Sequence, residues 1–229
     1  MENLKSKITA IRSVKNPRVQ RSSIFLNGKF AFSLDNAIIL KESLKVDQML
    51  SPAEIDLLTR ADVYQRCLNT AFRFLSYRPR SESETRIRLQ KHGYMEEEIE
   101  KVILQLKHLA LLDDAAFAQF WKDNRNSFRP RSQKMLKMEL RRKGVETEVI
   151  DEAIEDIDEA ENAYRAALSK ARLLPEADYR IFRQKLGGYL QRRGFGYGVI
   201  NSTVKKAWLE RTGNSGQLPE TTEEASAED

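Results

Sequence analysis

The amino-acid sequence predicts a mainly α-helical protein made of tandem three-helix units, preceded by a small N-terminal β-hairpin sheet. Three observations predict this fold class. A leucine, glycine and isoleucine pattern repeats about every 50 residues, amphipathic segments carry helix caps, and a hairpin signal lies near the N-terminus. Because a unit of about 50 residues buries one face only against its neighbour, we expect the units to form an elongated, curved stack.

The N-terminal segment has the alternating pattern of a sheet. Residues 24–32 read IFLNGKFAF, which places Asn27-Gly28 between two β-rich runs. This dipeptide favours the two-residue turn of a hairpin, so we predict three strands within residues 7–34. A short helix from about Asp35 should follow. Another helix should begin at Ser51-Pro52, with serine as cap and proline in the first turn, and join the sheet to the repeats.

The repeat is clearest where the second helix of each unit ends. Three stretches align: LQKHGYMEEEI at 89–99, LRRKGVETEVI at 140–150 and LQRRGFGYGVI at 190–200. Their glycines suit the left-handed conformation that ends a helix, and the cations before them suit the negative end of its dipole. Upstream, the tetrapeptide RPRS occurs twice, and its serines, Ser81 and Ser132, are placed to cap this helix. Ser81 also has Glu84 three residues later, the spacing of a capping box.

Two further helices complete each unit. An amphipathic segment precedes each capped helix, at 63–77, 114–127 and 159–174. After each glycine, an apolar trio marks one face of another helix: Ile99, Ile103 and Leu106, then Ile150, Ile154 and Ile157, then Ile200, Val204 and Ala207. The predicted organisation is a β-rich extension at 1–60, three-helix repeats at 61–112, 113–158 and 159–211, and a disordered acidic tail at 212–229.

Composition favours an acidic partner. The net charge is +5, and the tail contains acidic residues but no basic one, so the rest of the chain is more basic than the total. The tail could compete with the partner for the basic surface or act only as a solubilising segment. Cys67 is the single cysteine, so no disulfide can form within the chain. No apolar stretch approaches the ~20 residues that a membrane helix needs. We therefore expect a cytoplasmic, monomeric protein without membrane contact.

No residue pattern points to catalysis, a cofactor or a metal. The sequence lacks a phosphate-binding glycine loop after a strand and a G-x-S-x-G pattern, and its histidines lack metal-ligand spacing. Cys67 fits a buried structural thiol, and Asp113-Asp114 fits a helix N-cap. The aromatic residues of the repeats fit a core better than a ligand contact: Phe117, Phe120, Trp121, Phe182 and Trp208. We therefore predict a protein that is not an enzyme and needs no cofactor.

Cations recur at matching positions of the units and are the candidate binding residues. They are Arg78, Arg80, Arg86, Lys91, Arg129, Arg131, Lys134, Lys137, Arg141, Arg142, Lys143, Arg192 and Arg193. Lys134, Lys137 and Arg141 form one helical stripe. Their joint charge reversal should abolish the activity of the protein while stability changes by no more than about 0.5 kcal/mol per surface site. Each cation alone could be solvated surface, and Arg78 and Arg129 could instead brace a turn. Recurrence at equivalent positions favours a shared binding face.

The third unit departs from this pattern. It lacks RPRS, and Gly187 stands where the other units have Arg86 and Lys137. Binding by the third unit is therefore expected to differ from binding by the first two.

Four stretches in this order resemble the RecX family of bacterial regulatory proteins: LSYRPRSESETRIRLQKHGY at 75–94, LLDDAAFAQFWKDNR at 111–125, LKMELRRKGVETEVIDEAI at 136–154 and LQRRGFGYGVI at 190–200. The resemblance spans about residues 61–210, and the N-terminal sheet resembles an extension that some members carry. Ala110 departs from the family pattern, where glycine is common before LLDD, and this difference should change only a helix end.

The resemblance implies nine or ten helices and an activity without catalysis. Family members bind the RecA recombinase along the groove of its filament on single-stranded DNA, and they restrain ATP hydrolysis, strand exchange, coprotease activity and filament growth. Direct contact with single-stranded DNA should be weak and nonselective. A second hypothesis stays open, in which the chain is a free-standing basic helical module that binds nucleic acid without recombinase, as helix-turn-helix proteins do.

Overall fold

The structure is a computed structural model that describes residues 5–14, 20–174 and 178–213. The chain divides into two compact units, Met1–Leu112 and Asp113–Asp229. Of the predicted acidic tail, residues 214–229 lie outside the described residues.

The described part of the first unit contains four strands and four helices. The strands are β1 (Ser6–Ser13), β2 (Arg21–Leu26), β3 (Lys29–Asp35) and β4 (Met49–Leu50). The helices are α1 (Asn36–Lys41), α2 (Pro52–Leu75), α3 (Glu82–Lys91) and α4 (Glu96–His108). The strands form one antiparallel sheet in the order β3-β2-β1-β4. The three strands predicted within residues 7–34 are confirmed, and the sheet has a fourth strand, β4, which adds two residues to the edge of β1 and is too short to give a periodic pattern.

The local signals of the N-terminal segment are confirmed. Asn27 and Gly28 have φ angles of 49° and 84°, the positive values that a two-residue hairpin turn needs. Asp35 caps α1 by accepting a hydrogen bond from the backbone N–H of Ala37 at 2.9 Å. Ser51 caps α2 in a reciprocal capping box with Glu54.

Helix α2 joins the sheet to the first three-helix unit. The segments predicted as separate helices, from Ser51-Pro52 and over 63–77, form one unbroken helix, because neither glycine nor proline follows Pro52 within it. The predicted boundary between residues 60 and 61 lies inside this helix. Leu58 packs into the core of the sheet, whereas Cys67 and Ala71 pack into the core shared with α3 and α4.

A buried carboxylate fixes the sheet to α2. Asp62 is 3% exposed and accepts two hydrogen bonds from the guanidinium of Arg21 on β2, each at 2.9 Å. It also accepts the backbone N–H of Asp35 at 2.8 Å. A charge this deep is stabilised only when paired and hydrogen-bonded, so these contacts specify where the sheet sits on the helix.

The described part of the second unit contains six helices in two groups of three. They are α5 (Asp114–Phe128), α6 (Gln133–Arg142), α7 (Thr147–Ile154), α8 (Glu159–Ala171), α9 (Tyr179–Gln191) and α10 (Tyr197–Thr212). Each group encloses its own core, one centred on Phe117 and Leu140 and the other on Phe182, Leu190 and Trp208. The predicted fold class, three tandem three-helix units after an N-terminal sheet, is confirmed.

The repeated leucine and glycine have one structural role. Gly93, Gly144 and Gly194 have φ angles of 80°, 75° and 87°. In each of the three three-helix groups, the residue after the glycine donates its backbone N–H to the carbonyl of the repeated leucine, at 3.2–3.4 Å. This bond closes the helix end and turns the chain into the third helix.

Two details differ from simple helix patterns. Ile157 was predicted on the third helix of its unit, but α7 ends at Ile154 and Ile157 is buried in the same core from the following turn. Ala110 has a φ of 53°, so the position where the family commonly has glycine does require the left-handed conformation.

Candidate partner-binding surface

The two RPRS turns have the same backbone role, but their arginines have different partners. Ser81 and Ser132 cap α3 and α6 by accepting the backbone N–H three residues on, at 3.1 and 3.2 Å. Arg78 pairs with Glu84 through two hydrogen bonds at 2.9 and 3.2 Å and donates to the carbonyl of Pro79. These contacts hold the Arg78 side chain against its own turn, and a binding role for Arg78 stays a prediction.

Arg129, the counterpart of Arg78, is exposed and has no side-chain partner among the described residues. The reason lies in the sequence, because Met135 occupies the position that corresponds to Glu84. Without a carboxylate there, the guanidinium of Arg129 stays available to an external anion.

The second arginines of the RPRS turns also differ. The guanidinium of Arg80 lies over the ring of Phe74 at 4.2 Å, with Arg88 over the same ring at 5.7 Å. Burial, followed by the charge of Arg78, lowers the pKa of Arg80. Arg131 instead forms an ion pair with Glu139 at 3.0 Å, and that carboxylate also accepts hydrogen bonds from Arg125 and Trp121 at 2.7 and 2.8 Å.

Arg86 belongs to the internal structure of the first unit. It forms ion pairs with Glu82 on its own helix and with Glu96 and Glu100 on α4, and the latter two join α3 to α4. The hydrogen bond to Glu100 is the main reason that the pKa of Arg86 is raised, so its charge is permanent and already balanced. Lys91, one turn further along α3, is exposed and has no ion-pair partner in the described part of the chain.

The predicted stripe on α6 is partly neutralised by α7. Lys137 forms an ion pair with Asp151, and Lys134 borders the same groove, which Glu152 and Glu155 also line. Arg141 is exposed and shows no ion pair within the described ranges. Carboxylates thus flank two of the three stripe cations.

The end of α6 carries two more of the candidate cations. Arg142 is exposed and, within the described ranges, shows no ion pair. The ammonium of Lys143 lies over the ring of Trp121 at 4.9 Å.

A cluster of positive charge lies where the second and third three-helix groups meet. The backbone N–H of Ser132 donates to the carbonyl of Arg193 at 3.2 Å. Gly194 lies so close that a Cβ on it would be 2.3 Å from Cγ of Met135 and 2.6 Å from Oγ of Ser132. This contact brings four cations together, which we call the arginine junction: Arg129, Arg131, Arg192 and Arg193.

The charges of the arginine junction act on one another. Burial lowers the pKa of Arg193, and the charges of Arg131, Arg129 and Arg192 lower it further. Its guanidinium lies over the ring of Tyr189 at 3.9 Å. Repulsion among cations at such a site would be relieved by a nearby anion.

Four family models match this chain in order. They are the RecX N-terminal domain at residues 6–51 and the first, second and third RecX three-helix domains at 67–106, 113–154 and 157–204. The chain belongs to the RecX family of regulatory proteins. The RecX domains coincide with the sheet and with the three helical groups described above.

Similar proteins agree with the RecX assignment. A regulatory protein RecX from Clostridium botulinum is 32% identical over 208 residues, which covers 88% of this chain and 96% of that protein. A regulatory protein RecX from Bacillus pumilus is 29% identical and covers 95% of this chain and 81% of its own length. A crystal structure of regulatory protein RecX superposes with a TM-score of 0.64 at 26% identity and covers 88% of this chain and 99% of its own.

Sequence patterns found the cations of the RecX repeats but missed their partners. Glu139 binds three donors and Asp62 anchors the sheet, yet each looks like an ordinary helix surface residue in sequence.

The described residues contain no group of three or more histidine, cysteine, aspartate or glutamate side chains placed to hold a metal. No helix in the described ranges is long and apolar enough to cross a membrane.

Proposed function

We propose that this chain is a non-enzymatic regulator that binds a RecA-type recombinase filament on single-stranded DNA in the cytoplasm. Bound there, it restrains ATP hydrolysis, strand exchange and coprotease activity. Its membership of the RecX family supports the regulatory role. The arginine junction supports the mode of binding, because both an acidic protein surface and DNA phosphates supply the anions that it lacks.

The observation that carries this proposal is the excess positive charge of the arginine junction. Glu139 pairs with Arg131 there, whereas Arg129 and Arg192 are exposed without a side-chain partner among the described residues. Arginine suits both kinds of partner because its planar guanidinium binds carboxylate and phosphate through two parallel hydrogen bonds.

The arginine junction is also held in place by backbone geometry. The bond from Ser132 to Arg193 and the contact at Gly194 fix the two chain segments that carry the arginines. A preorganised set of cations loses little conformational entropy on binding. Such a site can occupy a filament surface and hinder its subunits without any chemical step.

The proposal is tested by recombinase ATP hydrolysis on single-stranded DNA. Arg129→Glu with Arg192→Glu should raise the concentration for half-maximal inhibition about tenfold or more, since each reversed contact costs on the order of 1 kcal/mol. Arg165→Glu with Arg172→Glu is the matched control, because it changes the net charge equally at exposed positions on or just after α8. Equal inhibition by both variants and the unmodified chain would refute the arginine junction as the binding site.

The alternative of a free-standing nucleic-acid module predicts a different result. It requires tight, sequence-selective binding to duplex DNA without recombinase. The regulator requires at most weak, nonselective binding, with a log-log salt slope of about −0.7 for each neutralised phosphate on single strands. Salt titrations on single-stranded and duplex DNA, with and without recombinase, separate the two.

A further inference from the structure

An open groove lies between α9 and α10 in the third three-helix group. Its volume is about 790 Å³, and its lining combines arginine, amide, aromatic and glycine residues, among them Arg183, Gln184, Gly187, Gly188, Tyr197 and Asn201. The groove is of the size that holds a small ligand or part of a larger one.

The groove lacks an ion pair that the other two three-helix groups have between the same two helices. Arg86 pairs with Glu100 between α3 and α4, and Lys137 pairs with Asp151 between α6 and α7. The repeat alignment places Gly187 at the position of these cations and Asn201 at the position of these carboxylates. The third group has therefore lost both members of the pair that bridges the two helices.

The side chains that line this groove also differ in charge from those that line the corresponding groove between α6 and α7. There, Asp151, Glu152 and Glu155 line the space between α6 and α7. Their counterparts in the third group are Asn201, Ser202 and Lys205, and Arg183 stands where the second group has Gln133. The described residues that line the groove include arginines but no carboxylate, so the groove favours an anionic occupant.

An exposed tyrosine stands at the edge of the groove. Tyr197 is 68% exposed, and its hydroxyl accepts a hydrogen bond from Nη2 of Arg183 at 3.3 Å. At the other end, a Cβ on Gly188 would lie 3.5 Å from Nη1 of Arg192. Arg192 of the arginine junction therefore lies beside Gly188, which lines the groove.

We infer that this groove receives a nucleotide of a single strand, with its base against Tyr197 and its flanking phosphates at Arg183 and Arg192. Side chains with aromatic rings stack on any unpaired base, and the amides of Gln184 and Asn201 can hydrogen-bond to base edges. The inference rests on the proposed function for the presence of single-stranded DNA, and it assigns the contact to the third group in particular.

The test measures binding of a fluorescein-labelled oligothymidylate to the full chain without recombinase, by fluorescence anisotropy. Gly187→Lys with Asn201→Asp would introduce the ion pair of the second group, add a side chain and a carboxylate to the lining of the groove, and leave the net charge unchanged. A Cβ on Gly187 would meet only Cγ2 of Ile200, at 3.6 Å, so the added side chain has room. We expect the dissociation constant to rise about tenfold, the loss of one stacked base.

A second variant keeps the test valid if the double variant folds poorly. Tyr197→Ala should also raise the dissociation constant about tenfold. Tyr77→Ala is its matched control, since Tyr77 is 72% exposed in the first unit and should leave binding unchanged. An oligonucleotide with 5-iododeoxyuridine should photo-crosslink to Tyr197 in the unmodified chain.

Two results would overturn the inference. One is binding by the double variant and by Tyr197→Ala that equals that of the unmodified chain. The other is no binding of oligothymidylate by the unmodified chain. If the unmodified chain does not bind oligothymidylate but Gly187→Lys with Asn201→Asp abolishes recombinase inhibition, the groove binds a protein segment instead of a nucleotide. Normal inhibition by the unmodified chain would leave the proposed function standing in either case.

Discussion

Replacement of Gly194 by alanine should destabilise the second unit more than the equivalent change at Gly93 destabilises the first. Both glycines have left-handed backbone, with φ angles of 87° and 80°, so each alanine incurs a conformational cost of roughly 1–2 kcal/mol. A Cβ on Gly93 has nothing within 4 Å, whereas a Cβ on Gly194 would be 2.3 Å from Cγ of Met135. Relief of that overlap adds about 1–3 kcal/mol.

The total expected loss in unfolding free energy is therefore about 2–5 kcal/mol for Gly194→Ala and about 1–2 kcal/mol for Gly93→Ala. Urea denaturation followed by far-UV circular dichroism measures both. Tryptophan fluorescence isolates the second unit, because Trp121 and Trp208 are the two tryptophans of the chain. Addition of Met135→Ala should recover part of the loss at Gly194. Equal losses at the two glycines would refute the close contact between Ser132 and Gly194.

Four further predictions follow from the described contacts. Ala110→Gly should stabilise the first unit by about 1 kcal/mol in denaturation, by relieving the left-handed alanine. Asp62→Ala should cost about 3 kcal/mol and loosen the sheet in hydrogen exchange, because Arg21 loses its buried partner. Arg86→Met should cost about 2 kcal/mol and Lys137→Met about 1 kcal/mol in denaturation, because Arg86 loses three ion pairs and Lys137 loses one. Burial raises the pKa of Cys67 to about 11 from 9.0, so the folded chain keeps a proton that the unfolded chain releases. Unfolding free energy should therefore fall by about 1.4 kcal/mol per pH unit between these values, and thiol reagents should react only on unfolding.

Local rules predicted the ends of the repeated elements well. Three signals act through neighbours within a few residues: the serine of RPRS, the glycine after the cations and the Asn27-Gly28 turn. Their structure therefore follows from the local sequence alone. The length of α2 was misjudged because an amphipathic pattern does not show whether two adjacent helical segments are continuous.

The roles of the cations depended on residues that only the fold brings near. Identical RPRS turns diverge because Glu84 corresponds to Met135, and Arg88 corresponds to Glu139. A comparison of those aligned positions would have shown that the two turns differ in charge. The meeting of Ser132 with Arg193 joins segments of different repeats, and no periodicity within a repeat reveals it.

The structure also changes which variant best tests partner binding. Reversal of Lys137 would place a carboxylate beside Asp151, so the triple reversal of Lys134, Lys137 and Arg141 would perturb the fold as well as the surface. Reversal of Arg129 and Arg192, which are exposed, avoids that effect.

Direct binding to the recombinase filament tests the central claim. The chain, its Arg129→Glu, Arg192→Glu variant and the Arg165→Glu, Arg172→Glu control would each be co-sedimented with recombinase assembled on single-stranded DNA. We predict that the unmodified chain and the control sediment equally with the filament, while the arginine-junction variant stays in the supernatant. Equal co-sedimentation of all three, or equal loss by the control, would contradict the assignment of filament binding to the arginine junction.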